Sequence, residues 1–323
     1  MTSEAAPRSA PARTLVFHQA ALGDFVLTWP LLRRLPGPVA VVAPWGHASL
    51  AAATLAEAPG VPGVTTGVPG VVAVGVEQFE FTRMHSPGGP SALSPAVREL
   101  FESAAAVIGF VAPPGGDWAA NAARLMPGAT RVLLDPRPPE GFGGHATAWH
   151  AEVVGGRVPL RDPVCPPVAP ARPADAPVLL HPGSGGVMKC WARGRFAGLA
   201  RRLVAAGHRV RFVLGEAEAD RWGPAELAEL AVEGVPLERI DGLDALAERV
   251  RGCRLYVGND AGPTHLAAQL GAPTLALFGP SAPHRFHPVG PAAGWLAPPV
   301  PTAMHWLSVD AVEAEVLRVL SEA

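Results

Sequence analysis

The chain has 323 residues, of which 49% are apolar and 17% charged, with a net charge of −2. This length suits two ordinary domains, and the composition excludes global disorder and any overall basic field for nucleic acid. Cys165, Cys190 and Cys253 are far apart and form no C-x-x-C, which excludes a zinc ribbon or a disulfide framework and fits a reducing compartment.

Residues 1–12 lack periodic apolar positions and are expected to be disordered. No segment has the apolar core of a signal peptide or the length to span a bilayer, so the expectation is a cytoplasmic protein. Of the 26 Lys and Arg residues only Lys189 is a lysine, and the only asparagines are Asn121 and Asn259. Lys189 and Asn259 both fall in glycine-rich loops.

A first strand is predicted over 14–17, followed by the loop HQAALGD, in which Asp24 sits where a helix N-cap belongs. A helix over 25–35 follows, with Pro30 as a fault in its pattern. A strand over 39–43 and a helix over 48–58 come next. Further strands are expected at 70–76, 105–110 and 131–134, and helices at 95–103, 121–125 and 145–154. Residues 77–90 show no period and read as a surface loop. This alternation indicates a parallel sheet covered on both faces. Residues 161–177 are proline-rich and read as a semi-rigid linker.

The second half restarts with a strand at 178–180 and the glycine-rich loop HPGSGGVMK. A helix is predicted at 195–206, a strand at 210–214, a loop at 215–218, and helices at 224–230 and 244–252. Residues 255–281, LYVGNDAGPTHLAAQLGAPTLALFGPS, read as strand, tight loop, short helix, second strand and loop. An amphipathic helix at 308–321 closes the chain.

Three places carry candidate chemistry. The loop at the end of the 255–257 strand runs into a helix N-terminus, where backbone N–H groups and the helix dipole favour an anion. There Asp260 can hold N–H groups or a ligand hydroxyl, and His265 can face a phosphate; an ordinary strand-to-helix turn with a capping aspartate explains the same spacing. HPGSGGVMK lacks the Gly-Lys-Ser/Thr of a P-loop and the third glycine of a dinucleotide fingerprint. It leaves a flexible loop with Lys189 able to reach a diphosphate, or simply a solvated lysine. Asp24 is either a helix cap or a general base. Glu216 and Glu218 either take ribose hydroxyls or are exposed loop acids. His284 and His287 have no metal-ligand spacing with Cys, Asp or Glu, so no metal is expected.

Taken together, TLVFHQAALGDFVLTWPLLRRL, LLHPGSGGVMKCWARGRFAGLARRL and YVGNDAGPTHLAAQLGAPTLALFGPSAP resemble three blocks of the heptosyltransferases, glycosyltransferase family 9, in the family's order. The resemblance implies an α/β protein of the GT-B fold, two Rossmann-like domains with parallel sheets facing a central cleft. It implies an N-terminal acceptor-binding domain over 13–165, a linker over 166–177, a C-terminal nucleotide-sugar-binding domain over 178–305, and a helix over 306–323 that returns to the first domain. The implied activity is inverting, metal-independent transfer of a sugar, heptose above all, from an ADP-activated donor to a lipopolysaccharide-core or related glycan acceptor. No cofactor beyond the ADP-sugar donor is implied. A lipid-linked acceptor would bring the protein to the inner face of the cytoplasmic membrane.

By position, the resemblance makes Asp24 the base and Lys189 the counter-charge to the leaving diphosphate. It gives Ser184, Gly185, Lys189, Asn259, Asp260, Ala261, Gly262 and His265 to the donor. Glu218, or else Glu216, takes the ribose, and His18 and Gln19 face the acceptor. Ala261 stands where the family usually has Ser or Thr, and Phe17-His18-Gln19 replaces an Arg-containing segment. Two other readings remain open: a GT-B transferase using a different nucleotide sugar, and a non-catalytic nucleotide-sugar-binding protein.

Overall fold

The predicted alternation of apolar strands and helices is realised as two parallel sheets, each in its own unit of the chain. The computed structural model describes residues 13–56, 70–77, 79–110, 116–166, 168, 170 and 172–322. The expected disorder of 1–12 lies outside the described residues.

The first unit takes the chain up to Gln19, Leu32–Asp135 and Ala151–Asp162. Its strands are β1 Arg13–His18, β2 Val39–Ala43, β3 Val72–Gly75, β4 Ala104–Phe110 and β5 Thr130–Leu133, in the order β3-β2-β1-β4-β5. All pair in parallel. Strands β1, β2 and β4 are buried almost throughout, which is why they are continuous apolar runs and not alternating ones. Phe17 stacks on Phe101 and meets Phe81 and Trp118 edge-on at the centre of this core. Residues 77–90, expected as loop, contain the helical turn Phe79–Thr82 and two 3₁₀ turns. The Asn121 side chain donates to the Met84 and Ser86 carbonyls and so organises that stretch without any apolar period.

The second unit takes Ala20–Leu31, Pro136–His150 and Pro163–Ala323. Its strands are β6 Val178–His181, β7 Val210–Leu214, β8 Leu237–Arg239, β9 Leu255–Asn259, β10 Thr274–Leu277 and β11 Ala293–Leu296, all parallel, ordered β11-β10-β9-β6-β7-β8. The two segments from the N-terminal half that join this unit depart from an N-terminal domain running unbroken over 13–165.

The helix expected over 25–35 forms as two pieces, Leu22–Val26 and Trp29–Leu32. Thr28 donates its hydroxyl to the Phe25 carbonyl at the break. Pro30 then sits second in a new helix, where its missing N–H is not needed. The last helix, Val309–Glu322, packs within the second unit. Val312, Val316 and Leu320 join the core built on Phe196, Leu199 and Leu203. Arg202 pairs with Asp310 and Glu313 across the same seam.

Candidate functional site

The carboxyl ends of β6, β7 and β9 bring the sequence-predicted loops of the second unit together. The backbone of the 182–190 loop is tied down from β9. Asn259, fully buried, donates its amide to the Pro182 and Gly183 carbonyls at 2.9 and 3.2 Å and accepts the Trp191 N–H at 2.9 Å. Ser184, 3% exposed, donates its hydroxyl to the Asp260 carbonyl at 3.1 Å. These two side chains brace the loop. Gly185 is exposed and its surroundings are open.

Asp260 is the hub. Its Oδ2 accepts from Lys189 Nζ and from the Ser281 hydroxyl, each at 2.6 Å, and its Oδ1 lies 3.4 Å from His265 Nε2. Burial by itself raises the Asp260 carboxyl. The hydrogen bond and charge of His265 and the Lys189 ammonium outweigh burial and hold it well below the usual carboxylate range. Lys189 is 41% exposed while its partner is 6% exposed, so the ammonium can turn to an incoming anion. The helix Gly262–Gln269 starts here, capped by no side chain at Ala261. Its first-turn N–H groups and dipole favour negative charge.

The Leu22–Val26 helix abuts this start. A Cβ on Gly262 would lie 2.8 Å from Leu22 Cβ and 3.0 Å from the Gly23 nitrogen, and one on Gly23 would lie 3.4 Å from His265 Cδ2. Asp24 follows directly. The N-cap of its helix is Ala21, so the capping reading of Asp24 fails. Its side chain is 19% exposed, and Oδ2 sits 3.6 Å from the exposed Arg137 guanidinium. Gly262→Ala is expected to lower stability by about 1–3 kcal/mol through overpacking against Leu22 and Gly23. Thermal unfolding checks this, and a variant as stable as wild type would show that the two helices do not meet as described.

Beside the loops lies an apolar cavity of about 150 Å³, walled by Leu214, Ile240, Leu243, Leu246 and Pro263, with Glu216 at its edge. Such a slot suits a flat ring. The stretch expected as a loop at 215–218 opens the helix Glu216–Arg221. Glu218 is 4% exposed and fully engaged. Its Oε2 accepts the Gly215 N–H and faces His181 Nε2, and its Oε1 faces Arg221. Burial raises its carboxyl, but His181, the Gly215 N–H and Arg221 together hold it below the usual range. Gly183 is the glycine this arrangement requires, since a Cβ there would fall 2.1 Å from Glu218 Oε1. Glu218 is thus a brace, and Glu216 is the acid that faces the cavity.

In the first unit, His18 is fully buried with its ring 5.4 Å from that of Phe110, and Gln19 is exposed. Among the described residues no group of three His, Cys, Asp or Glu side chains converges as metal ligands. Among them, too, no helix is long and apolar enough to cross a membrane.

Sequence reasoning missed the anchoring of 136–150. Arg285 donates to the Pro138 and Pro139 carbonyls, and His145 Nε2 donates to the His287 carbonyl at 3.0 Å. His145 Nδ1 accepts the Thr147 N–H at 3.3 Å, which fixes a neutral ring. Burial, then the charge of His287, pushes His145 down to about 4. The unfolded chain binds this proton near 6.5 and the folded one only near 4. The stabilisation is therefore complete above pH 6.5 and is lost as the pH falls from 6.5 to 4. His145→Asn keeps an acceptor for Thr147 and removes the titration. Its unfolding midpoint is expected to fall less than that of wild type between pH 7 and 4.5.

This fold is a two-sheet α/β arrangement of the GT-B class, and the end of β9 gathers Lys189, Asp260 and His265 at a helix start. Residues 167–301 match the family described as Glycosyltransferase family 9 (heptosyltransferase). Lipopolysaccharide heptosyltransferase 1 of Pseudomonas aeruginosa is 39% identical over 106 residues, 33% of this chain and 29% of that protein. Lipopolysaccharide heptosyltransferase 2 of Escherichia coli K12 is 34% identical over 102 residues, 30% of this chain and 29% of its own length. The match thus spans under a third of these curated relatives.

The structure of E. coli heptosyltransferase WaaC with ADP superposes with a TM-score of 0.67 at 19% identity, covering 95% of this chain and 99% of that one. A glycosyltransferase family 9 protein from Veillonella parvula gives 0.70 at 18% identity, covering 98% of this chain and all of that one, 100%. The chain is similar to the heptosyltransferases over about a third of its length, and residues 167–301 match the glycosyltransferase family 9 model.

Proposed function

We propose that the protein is an inverting, metal-independent glycosyltransferase that moves a heptose from an ADP-activated donor to a lipopolysaccharide-core or related glycan acceptor. The observation that carries this reading is the Lys189–Asp260–His265 cluster at the start of helix Gly262–Gln269, with the Leu22–Asp24 turn packed against it. The relatives' names and the ADP in the WaaC structure supply the donor class.

Asp24 takes the proton from the acceptor hydroxyl. That oxygen forms the new bond to the anomeric carbon as the bond to the donor diphosphate breaks from the opposite face. The electron pair leaves with ADP, whose growing charge meets Lys189 and the N–H groups at the helix start, those of Ala261 and Gly262 among them. The backbone N–H of Ala261 serves in place of the hydroxyl its side chain lacks. The adenine ring enters the apolar slot, and Glu216 takes the ribose hydroxyls. The reading places the protein in the cytoplasm, at the inner face of the membrane when the acceptor is lipid-linked.

The test is to incubate the protein with ADP-heptose and a heptose-deficient core oligosaccharide and to follow ADP release and product mass. Stoichiometric ADP and a product heavier by one heptose support the reading. ADP-heptose left intact by protein that binds ADP would favour the non-catalytic alternative.

A further inference from the structure

In the first unit, the carboxyl ends of three adjacent strands carry Gln19 after β1, Trp45 after β2 and Glu77 after β3. Ligands of open parallel sheets bind at this edge. Trp45 is 59% exposed, among the most exposed large apolar side chains described in this unit. It is also held in place. The Trp45 backbone N–H donates to Glu77 Oε1 at 2.5 Å, and its indole lies beside Gly75. A Cβ at Gly75 would come 2.8 Å from Glu77 Oε2 and 3.7 Å from Trp45 Cε3, so glycine there lets the ring and the carboxylate lie together. The Glu77 carboxylate also acts on the His47 ring through its charge. The result is a fixed aromatic face flanked by a carboxylate oxygen and, on the strand beside it, an exposed amide.

We propose that Trp45 is a platform for a pyranose ring of the acceptor glycan, with Glu77 and Gln19 accepting or donating to its hydroxyls. The C–H face of a pyranose is apolar while its rim is polar, and an indole beside two hydrogen-bonding side chains matches both. A flat nucleobase would also stack, but an apolar slot of base size lies in the second unit, whereas the Trp45 face is exposed and flanked by polar side chains. The proposal rests on the glycosyltransferase reading for the role of the glycan, and on the geometry of the first unit for the site.

The test is an array of bacterial core oligosaccharides probed with wild type, Trp45→Ala, Trp45→Phe and Glu77→Ala, with ADP titrated into each protein in parallel. Because Trp45 is exposed, its replacement leaves the fold intact, and an unchanged ADP isotherm verifies this. The expected result is glycan binding by wild type that Trp45→Ala weakens about tenfold. Trp45→Phe should keep most of it, and Glu77→Ala should lose an intermediate share. Wild type that binds no glycan on the array, or Trp45→Ala that binds as wild type does, overturns the proposal. Loss of ADP binding in wild type is a separate result, and it counts against the donor reading and not against the platform.

Discussion

Asp24→Asn is expected to lower turnover by about 10²–10⁴-fold while leaving ADP affinity within a factor of two. Asparagine has the shape of aspartate but cannot take a proton at neutral pH. Asp24 caps no helix, because Ala21 holds that position, so the substitution removes no capping bond. Its ion pair with Arg137 reaches a side chain that is 71% exposed, and such pairs contribute about 0–1 kcal/mol. Folding should therefore survive, and the loss should appear in the chemical step alone. Full turnover by Asp24→Asn, with normal unfolding, would remove Asp24 as the base.

Lys189→Ala is expected to weaken ADP binding by roughly 10–100-fold, the range of about 1.5–3 kcal/mol for a charged hydrogen bond. Lys189 is the only lysine in the chain, and its ammonium meets the buried Asp260 at 2.6 Å. On the proposed reading a bound diphosphate takes over that ammonium, while Ser281 and His265 remain on Asp260. Asp260 keeps Ser281 and His265 when the lysine is removed, and thermal unfolding read beside the binding isotherm separates folding from binding. Lys189→Arg is not a conservative control, since a planar fork cannot replace a compact point charge on both Asp260 and a phosphate. Calorimetry checks the prediction; unchanged ADP affinity in Lys189→Ala would move the diphosphate away from Asp260.

The parallel architecture was legible because its central strands are buried apolar runs, as at 39–43 and 210–214. The edge strands β8 and β11 were not, since Leu237–Arg239 is short and half polar and Ala293–Leu296 is partly exposed. The positions of Asp24, Lys189, Asp260 and His265 were legible from turn chemistry and resemblance. Whether a polar side chain faces out or in was not. Asn259 and Ser184 sit in a ligand-like loop yet spend their hydrogen bonds on its backbone. Glu218 shows the same limit, although Glu three residues after Gly215 is a helix-start signal that explains its inward turn. His18 is buried because it still belongs to β1, one residue beyond the predicted strand end.

Titration of the purified protein with ADP, UDP and GDP tests the central claim most directly, namely that the site at the end of β9 holds the ADP part of an activated sugar. ADP is expected to bind at least about tenfold tighter than UDP or GDP, because the diphosphate is common to all three and the bases would differ only in their fit to the apolar slot beside Glu216. Equal affinity for the three, or a preference for UDP or GDP, would contradict it and leave the fold with a different donor.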